Sequence, residues 1–590
     1  MDVVRNINTI KNIQTALRTL SILGLTSHLW PEQANVTDGA SFDYIIVGAG
    51  SAGSVIANRL TELDVSVLLV EAGGDPPFES VKPGLYGFLK NTKSDWNFTS
   101  EEEINTYRFY KRNVVDITRG KLLGGSSSIN FMAYTRGNRR DYDTWANMTG
   151  DPSWSWEKVL PYFKKSEKML DLNILKTYKL RRNHGTSGYL KITRPHREVI
   201  NNYLKAFEEL GNNIAVDLNS GDNLGYGEMY NTIADGLRQS TALSFLSTIK
   251  DRKNLHVLKN TIVSKVIFDT NKAVGVEVIL GNGKTITLKA REEVIVSAGA
   301  INSPQILMLS GIGPKIHLDD MGINVIKDLP VGQGLKDHVG VMVVQKMNEI
   351  KASNGPLTLD LDNFPDALIE GYASLNISQR HLDYQSVNFI NDNPQAIIQY
   401  CGFFIGLIDE LCQEYFEAVQ GKQYLHSLIS IMYPESRGRI LLNSKNPKDA
   451  PLIYMGYHSE KSDLRSHAKY LKHFLKVNGT KFFRSVNSEM VVPKVCGCGS
   501  FVDSSEFYEC YVTCNLVPIL HYIGTCLMGA VVDSRLKVIG LKNIRVVDAS
   551  VTPSSISSNM NAPTIMIAEK ASDMIKEDYY VKECTDETQL

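Results

Sequence analysis

The sequence predicts a protein of two parts, one an α/β part built on a parallel sheet and the other of α+β type. Three observations predict this fold class. A glycine-rich turn separates a β-branched run from a helical stretch just after Phe42. Three later segments combine strand-like or helical runs with small-residue turns in the same way. The stretches 153–222 and 340–518 lack such turns, and their aromatic-rich character predicts an antiparallel sheet covered by helices.

The composition sets the class of protein and excludes several partners. The 590 residues are 43% hydrophobic and 22% charged, which is typical of globular chains and not of disordered or collagenous ones. The 63 basic and 64 acidic residues give a net charge of −1, so the chain has no broad positive field for nucleic acid. We find no run of about 18 apolar residues, so we expect no transmembrane segment.

The first 40 residues are predicted to be a leader that precedes the folded protein. Arg5, Lys11 and Arg18 come before a short apolar run, Leu20 to Leu25, and small and polar residues follow. This order fits a signal peptide with a minimal apolar core, and it also fits an amphipathic or disordered leader. We therefore favour a secreted or extracellular protein slightly over an intracellular soluble one.

The eight cysteines do not predict a disulfide scaffold or a metal site. They are too sparse for a chain whose stability rests on disulfides. Cys496, Cys498, Cys510 and Cys514 are grouped, but C-x-C followed by C-x3-C lacks the paired C-x2-C spacing of a zinc ribbon. Disulfides, in a pairing that the sequence leaves open, or buried thiols are the better interpretations, and no metal site is predicted.

The strongest local signal is a β-α-β unit that begins at Phe42 and reads FDYIIVGAGSAGSVIANRLTELDVSVLLVEAG. Gly48, Gly50 and Gly53 form G-x-G-x-x-G, in which the glycines allow a tight turn, close approach of a pyrophosphate, and packing of helix on strand. Ser51 opens the helix, whose N-terminus favours anionic oxygens. Glu71 ends the second strand, where a carboxylate can accept hydrogen bonds from ribose hydroxyls. The unit predicts a Rossmann-type dinucleotide site and does not choose between NAD and FAD.

Four longer motifs identify the chain as similar to the glucose-methanol-choline (GMC) oxidoreductases, from about Asp43 to Met574. RGKLLGGSSSIN (119–130) and GAINSPQILMLSGIG (299–313) match the two family signatures. HYIGTCLMG (521–529) resembles the family's HPxGTCRMG, with Tyr522 in place of proline and Leu527 in place of arginine. NAPTIMIAEKASDMI, from Asn561, resembles the segment that carries the second catalytic residue. The third and fourth motifs look most like the insect branch, which includes glucose dehydrogenases and ecdysone oxidases.

The resemblance implies FAD as the cofactor and assigns residues to it. Covalent attachment through histidine uses a position that is Ile129 here, so we expect the FAD to be non-covalent. The residues that the motifs place at the FAD are Gly48, Gly50, Ser51, Gly53, Glu71, Gly125, Ser126, Asn130, Ala133, Val263 and Asp548. The resemblance implies that the three glycines of the first motif face the pyrophosphate and that Val263 contacts the adenine through its backbone.

The chemistry of alcohol oxidation assigns the catalytic residues. A proton leaves the hydroxyl and a hydride leaves the carbon, and no side chain accepts hydride, so the cofactor must take it. His521 is the predicted base, since a neutral histidine takes up protons near neutral pH. Asn561 is the predicted partner that donates a hydrogen bond to the developing alkoxide. Asn559 is interpreted as a loop residue, and Cys526 has no base to activate it.

These motifs define a discontinuous organisation. We predict an FAD-binding domain of residues 41–152, 223–339 and 519–580, and a substrate-binding domain of residues 153–222 and 340–518. The predicted activity is oxidation of an alcohol, which is either a steroid or a sugar. The electron acceptor is O2 or a quinone. Two alternatives remain at this stage: a flavin-binding protein with little turnover, and a nicotinamide-dependent reductase.

Overall fold

A computed structural model of the chain describes residues 2–22, 24–351, 361–364, 367–376, 382–499 and 504–587. Its strands are β1 Ser41–Val47, β2 Val67–Val70, β3 Phe98–Thr99, β4 Asp116–Ile117, β5 Glu167–Met169, β6 Leu190–Ile192, β7 Gly225–Glu228, β8 Ile233–Ala234, β9 Leu237–Arg238, β10 Leu255–Leu258, β11 Ile262–Asp269, β12 Lys272–Ile279, β13 Thr285–Val296, β14 Ile312–Gly313, β15 Lys327–Asp328, β16 Gln333–Leu335, β17 Val339–Lys351, β18 Ala367–Ala373, β19 Tyr384–Asn391, β20 Lys422–Ile431, β21 Gly438–Leu441, β22 Leu452–Tyr454, β23 Ser488–Met490, β24 Leu516–Pro518 and β25 Ile544–Val546.

The helices of the same described residues are α1 Asp2–Ile22, α2 Ser51–Leu60, α3 Phe78–Val81, α4 Ile104–Tyr107, α5 Arg139–Thr149, α6 Trp156–Ser166, α7 Leu172–Leu175, α8 Tyr178–Arg181, α9 Asn201–Glu209, α10 Gly299–Leu309, α11 Lys315–Asp320, α12 Pro394–Ile398, α13 Asp409–Ala418, α14 Lys461–Phe474, α15 Lys481–Ser485, α16 Ser505–Cys514 and α17 Asn561–Glu587. None of them has both the length and the apolar character needed to cross a bilayer. A π-helical segment, Gln399–Ile405, follows α12.

The first sheet has the order β10, β2, β1, β13, β12, β11, and β25 also pairs with β13. The strands β10, β2, β1, β13 and β25 run parallel to their neighbours, while β11 and β12 are antiparallel. Buried β-branched runs such as those of β1 and β2 form strands that are covered on both faces, as parallel sheets require. Strand order reverses at β1, which is where ligands bind in open sheets of this kind.

The second sheet is antiparallel and has the order β23, β17, β20, β19, β18, β7, with β24 paired to β17. One face packs on helices: Val341 of β17 and Ile429 of β20 share a core with Phe207 of α9, Leu471 of α14 and Tyr511 of α16. The other face borders the cavity described below. The predicted fold class, a parallel nucleotide-binding sheet with an antiparallel sheet covered by helices, is confirmed.

Sheet pairing departs from the predicted domain boundaries at two places. Gly225–Glu228, predicted to belong to the FAD-binding domain, pairs with β18 in the antiparallel sheet. Gly438–Leu441, predicted to belong to the substrate-binding domain, pairs with Gln333–Leu335. These short strands have no periodicity of their own, so their position depends on partners far away in the chain.

The N-terminal segment forms α1, which contacts the rest of the chain. The Gln14 side chain donates hydrogen bonds of 2.9 Å to the carbonyl oxygens of Phe88 and Lys90. Leu17 is buried against Leu85 and Phe88. The apolar run Leu20 to Leu25 lies at the end of this helix and in the turn that follows, apart from residue 23, which is outside the described residues.

The grouped cysteines form two disulfides, Cys496–Cys514 and Cys498–Cys510. A third disulfide, Cys401–Cys412, joins the π-helical segment to α13. Within the described residues, no group of three or more histidine, cysteine and acidic side chains could hold a metal ion.

Candidate active site

The glycine-rich turn lies between β1 and α2, and its geometry needs glycine. Gly48 has φ +98°, and a Cβ there would lie 2.6 Å from the carbonyl oxygen of Ser297. A Cβ on Gly50 would meet only the Cα of Gly125, at 3.9 Å, so it would project into the cavity. The start of α2 at Ser51 thus presents bare backbone to the cavity, as an anion site at a helix N-terminus requires.

Gly53 has the packing role that the motif predicts for its third glycine, and not the contact with the pyrophosphate that the family resemblance implies. A Cβ there would lie 1.9 Å from the carbonyl oxygen of Gly48. Gly53 is buried inside α2, beneath the turn, and is absent from the cavity wall. It lets the helix pack on β1 and does not face the ligand.

Glu71 follows β2 and stabilises the glycine-rich turn between β1 and α2 through hydrogen bonds. Its Oε2 accepts a hydrogen bond from the Ala49 N–H and its Oε1 accepts one from the Gly73 N–H, both at 2.9 Å. Burial raises the pKa of this carboxyl to about 7. Glu71 and Val263 both line the cavity, on the side of β2 and β11 where the sequence predicts the adenosine.

The second glycine turn closes on the first. Gly125 has φ +51°, and a Cβ there would lie 2.8 Å from the Cα of Gly50. Ser126, Ile129, Asn130 and Ala133 line the cavity after this turn. The Asn130 Oδ1 accepts hydrogen bonds from the Met132 N–H at 3.0 Å and from Arg238 at 2.9 Å, which fixes the end of the motif.

Asp548 lies at the end of β25, where it connects two motifs. Its Oδ2 accepts hydrogen bonds from the Gly299 N–H at 2.8 Å and from the Ser303 hydroxyl at 2.5 Å. Its Oδ1 accepts one from the Ser550 N–H at 2.8 Å. The carboxylate therefore holds the start of α10 beside the cavity wall.

These elements enclose one continuous cavity of about 370 Å³. It extends from the nucleotide end, at Gly48 and Glu71, past Gly125 and Asn130, to His521 and an aromatic end. The cradle of Gly48, Gly50 and Gly125, where added Cβ atoms would clash or fill the ligand space, fits a dinucleotide with its pyrophosphate at α2.

His521 lies in the loop after β24, and Asp337 fixes that loop. The Asp337 carboxylate accepts hydrogen bonds from the His521 N–H at 2.5 Å, the Leu520 N–H at 3.2 Å and the Tyr457 hydroxyl at 2.5 Å. Leu520 has φ +65°, a strained conformation for a leucine that these bonds hold in place. Burial raises the pKa of Asp337 to about 6.

The partner of His521 is Asn559, and the predicted pairing with Asn561 is wrong. The Asn559 Nδ2 donates to the His521 Nε2 at 3.1 Å, while the Asn559 Oδ1 accepts from the Thr135 hydroxyl. The Asn561 Oδ1 instead accepts a hydrogen bond of 2.8 Å from the Ser51 hydroxyl, so Asn561 connects α17 to α2. Asn559 lies two residues before α17 and Asn561 is the first residue of that helix, and the sequence has no signal that distinguishes them.

His338 is a site residue that the sequence analysis missed. Its Nδ1 lies 2.9 Å from the His521 Nδ1. Burial lowers the pKa of His338 to about 4. The pKa of His521 lies well below its ordinary value because of burial, His338 and Arg119. The Asp337–His338 pair just before a long apolar strand is the sequence feature that could have pointed to it.

The hydrogen bonds define the protonation of both histidines. Since the Asn559 amide donates to Nε2, His521 is neutral with its hydrogen on Nδ1. That hydrogen is donated to the His338 Nδ1, which must then be an acceptor. His521 therefore presents an unprotonated Nε2 at the cavity, which is the state a general base needs.

The two departures from the third motif are structural. Tyr522 is buried, and the Arg119 guanidinium lies 4.8 Å above its ring. The Leu527 side chain packs against the backbone at Gly334 and Gly524. Cys526 is buried, which raises the pKa of its thiol and keeps it protonated.

Comparison with known proteins agrees with this geometry. Residues 42–340 match the first part of the GMC oxidoreductase profile and residues 434–568 match the second. The chain belongs to the GMC oxidoreductase family. It is thus an FAD-dependent oxidoreductase acting on CH–OH donors, and the predictions of the family, the reaction class and FAD are confirmed.

Individual GMC relatives cover almost all of the chain. An ecdysone oxidase of Bombyx mori is 38% identical over 581 residues, 94% of this chain and 85% of the relative. A glucose dehydrogenase [FAD, quinone] of Drosophila melanogaster is 33% identical over 559 residues, 91% of this chain and 87% of the relative. A formate oxidase structure from Aspergillus oryzae is similar with a TM-score of 0.78 and 25% identity, covering 92% of this chain and 100% of the other.

Proposed function

We propose that the protein oxidises a bulky, largely apolar alcohol of steroid type to the corresponding carbonyl compound. The observation that carries this proposal is the wall of the cavity beyond His521. Gln385, His426 and Ser430 are polar side chains in this wall. Most of its side chains are apolar or aromatic, and they come from β18, β19, β20, the π-helical segment and the loops that face them: Tyr86, Phe131, Met229, Phe364, Leu368, Val387, Phe389, Tyr400, Phe404 and Leu428.

The same wall argues against a sugar. The Tyr86 and Tyr400 hydroxyls are hydrogen-bonded to each other at 3.0 Å, so each already has a partner. A sugar carries a hydroxyl on nearly every carbon, and burying each one without a partner costs about 1–3 kcal/mol. A rigid apolar ring system fills such a wall without that cost. The similarity to an ecdysone oxidase also supports a steroid.

In the proposed reaction His521 and Asn559 act on the same oxygen. The substrate hydroxyl takes the place of the Asn559 amide at the lone pair of the His521 Nε2, which accepts the hydroxyl proton, while the Nδ1–H remains donated to His338. Asn559, held by Thr135, donates its amide N–H to the oxygen as negative charge develops there. FAD, when bound, supplies the acceptor for the hydride that leaves the carbon.

We further propose that the FAD is held without a covalent bond. Ile129, at the position where histidine would form such a bond, lines the cavity and has no nucleophilic atom. Acid precipitation of the purified protein should release all of its flavin into the supernatant. Flavin that stays with the precipitate after extensive washing would show a covalent link.

We propose that the protein matures in an oxidising compartment and is secreted. The disulfides Cys401–Cys412, Cys496–Cys514 and Cys498–Cys510 support this, because such bonds persist outside the reducing cytosol. Mass spectrometry of the protein from the medium and the lysate of producing cells tests it. Protein confined to the lysate with six reduced thiols would contradict it.

The activity is tested by anaerobic reduction of the bound flavin with a panel of steroid, aliphatic and sugar alcohols. We expect steroid alcohols to bleach the flavin absorbance fastest, and His521→Ala to slow this by more than about a hundredfold while keeping its FAD. Readmission of O2 or addition of a quinone then identifies the acceptor. Reduction by sugars alone would refute the substrate proposal, and reduction by no alcohol would refute catalysis.

A further inference from the structure

His426, on β20, is a buried histidine whose two ring nitrogens both lack a hydrogen-bond partner among the described residues. The residue is only 1% exposed, and it lines the cavity. Its ring is fixed by Phe389, stacked at 5.3 Å, and by Tyr400, in edge contact at 4.9 Å. An unsatisfied buried polar group is costly, so its presence in an aromatic wall calls for a partner that the part of the chain described by the structure does not supply.

A second buried histidine, packed on the same sheet, has hydrogen-bond partners within the protein. His467, on α14, packs on the opposite face of the same sheet and is also fully buried. Its Nε2 bonds the Ile429 carbonyl oxygen at 2.7 Å, and its Nδ1 lies 3.3 Å from the His458 Nε2. His467 thus has the structural role that His426 lacks.

The register of the sheet places His426 far from the catalytic histidines. Gly340 of β17 pairs with Ser430 of β20, and this row adjoins His338, which precedes β17. Ser430, Leu428 and His426 lie on the cavity face at successive alternate positions. Four residues of strand at about 3.3 Å each put His426 about 13 Å from the Ser430 row.

The chemistry of His426 defines what it can bind. Burial lowers its pKa to about 3, so the ring is neutral and offers one N–H donor and one acceptor nitrogen. A hydroxyl satisfies either nitrogen, and a carbonyl oxygen satisfies the donor. An anion finds no positive charge at this position, and a hydrocarbon satisfies neither nitrogen.

We propose that His426 is a specificity-determining residue that hydrogen-bonds a second oxygen of the substrate, at the opposite end from the alcohol that is oxidised. This inference rests on the proposed function, because it assumes that a rigid apolar alcohol lies along the cavity face of the antiparallel sheet. The substrate class is then a steroid with oxygen at both ends, and not a simple monofunctional alcohol.

Binding of ketosteroids to the oxidised holoenzyme tests this without turnover. Each ketone has a carbonyl on one terminal ring, in the place of the oxidised alcohol, and a hydroxyl either on the opposite terminal ring, on a side chain attached to that ring, or at neither place. Perturbation of the flavin absorbance gives each dissociation constant. We expect wild-type protein to bind one of the hydroxylated ketones at least about tenfold more tightly than the unsubstituted one.

Variants of His426 test whether this side chain causes the preference for a hydroxylated ketone. His426→Phe keeps the aromatic packing and should reduce the preference to less than about twofold, while His426→Asn, with an amide donor and acceptor, should restore part of it. The matched control His467→Phe removes a buried histidine from the other face and should leave the preference intact. Retained FAD absorbance shows in each case that the protein has folded.

The binding results distinguish a failure of the role proposed for His426 from a failure of the proposed steroid substrate. Equal binding of all ketones by wild-type protein, or a preference that survives both His426 variants, would overturn the role of His426 and leave the steroid proposal standing. Failure of every ketone to bind, together with reduction of the flavin by small polar alcohols, would overturn the steroid proposal and this inference with it.

Discussion

At the scale of single residues, Asn559 and Asn561 have different contacts although two positions separate them. We expect Asn559→Ala to slow flavin reduction by about 100- to 1000-fold, the loss typical of removing one donor to a developing oxyanion. Asn561→Ala removes only the bond to Ser51 and should slow reduction by less than about tenfold. Rapid-mixing measurements of flavin absorbance with a steroid alcohol compare the two. A larger effect at Asn561 would restore the pairing that the sequence suggested.

His521 should act as a base over a wide pH range. Its pKa lies below the ordinary histidine value of about 6.5, so the neutral form persists as the pH falls through that value. The limiting rate of flavin reduction should therefore stay constant from about pH 9 down to below about pH 6.5. A rate that halves near the ordinary histidine value would contradict this assignment.

His338 positions His521 by accepting its Nδ1–H. His338→Leu removes that acceptor, and we expect reduction at neutral pH to slow by about 10- to 100-fold, equivalent to about 1.4–2.7 kcal/mol. Because His338 lowers the pKa of His521, the acid limb of the rate profile should also move to higher pH. His338→Asn, which retains an acceptor, should recover part of the rate. A merely structural role would leave the pH profile unchanged.

At the scale of elements, the two glycine turns of the nucleotide site approach each other closely at Gly50 and Gly125. Gly125→Ala would place a Cβ 2.8 Å from the Cα of Gly50, so we expect the purified variant to lose most of its FAD. Gly150→Ala is the matched control, since Gly150 has φ +67° with open space around its Cα. It should lose about 1 kcal/mol of stability and retain its FAD. Full FAD content in Gly125→Ala would contradict the close approach.

Secondary-structure elements with a strong sequence pattern could be predicted, and those with a weak pattern could not. The β-branched run of β1, the glycine turn and α2 form where the sequence places them, because backbone geometry there depends on neighbouring residues. The short strand β7 and the π-helical segment 399–405 carry no comparable signal. β7 is held by its pairing with β18, and the π-helical segment is joined to α13 by the Cys401–Cys412 disulfide. Local propensity predicts neither contact.

At the scale of the whole molecule, the first and last segments of the fold are joined by a buried ion pair. Arg59 of α2 donates two hydrogen bonds to Glu569 of α17, of 2.7 and 2.8 Å, across 510 residues of sequence. Both side chains are almost entirely buried. This contact holds the catalytic loop before α17 against the nucleotide-binding unit.

Breaking this pair should destabilise the protein strongly. Glu569→Leu removes the buried partner of Arg59 and leaves only the partly exposed Glu62, 3.1 Å away, so we expect the free energy of unfolding to fall by about 3 kcal/mol. The double variant Arg59→Met/Glu569→Leu should lose less than Glu569→Leu alone, because it leaves no buried charge without its buried partner. Asp319→Ala, which breaks the exposed pair with Lys315, should have no measurable effect. Chemical denaturation of the holoenzyme measures the free energy of unfolding of the three variants. A double variant that is less stable than Glu569→Leu would contradict the argument.

The sequence by itself determined the nucleotide-binding turn and, through its resemblance to the GMC family, the reaction class, the cofactor and His521 as the candidate base. The turn follows from the backbone requirements of neighbouring residues, and the other three follow from motifs whose residues are contiguous in the chain. Only the tertiary structure decided that Asn559 meets His521, that His338 lies behind it, and that His426 has no partner within the described part of its aromatic wall. These contacts join strands and loops up to several hundred residues apart. Their geometry is set by sheet register and packing, which no local pattern encodes.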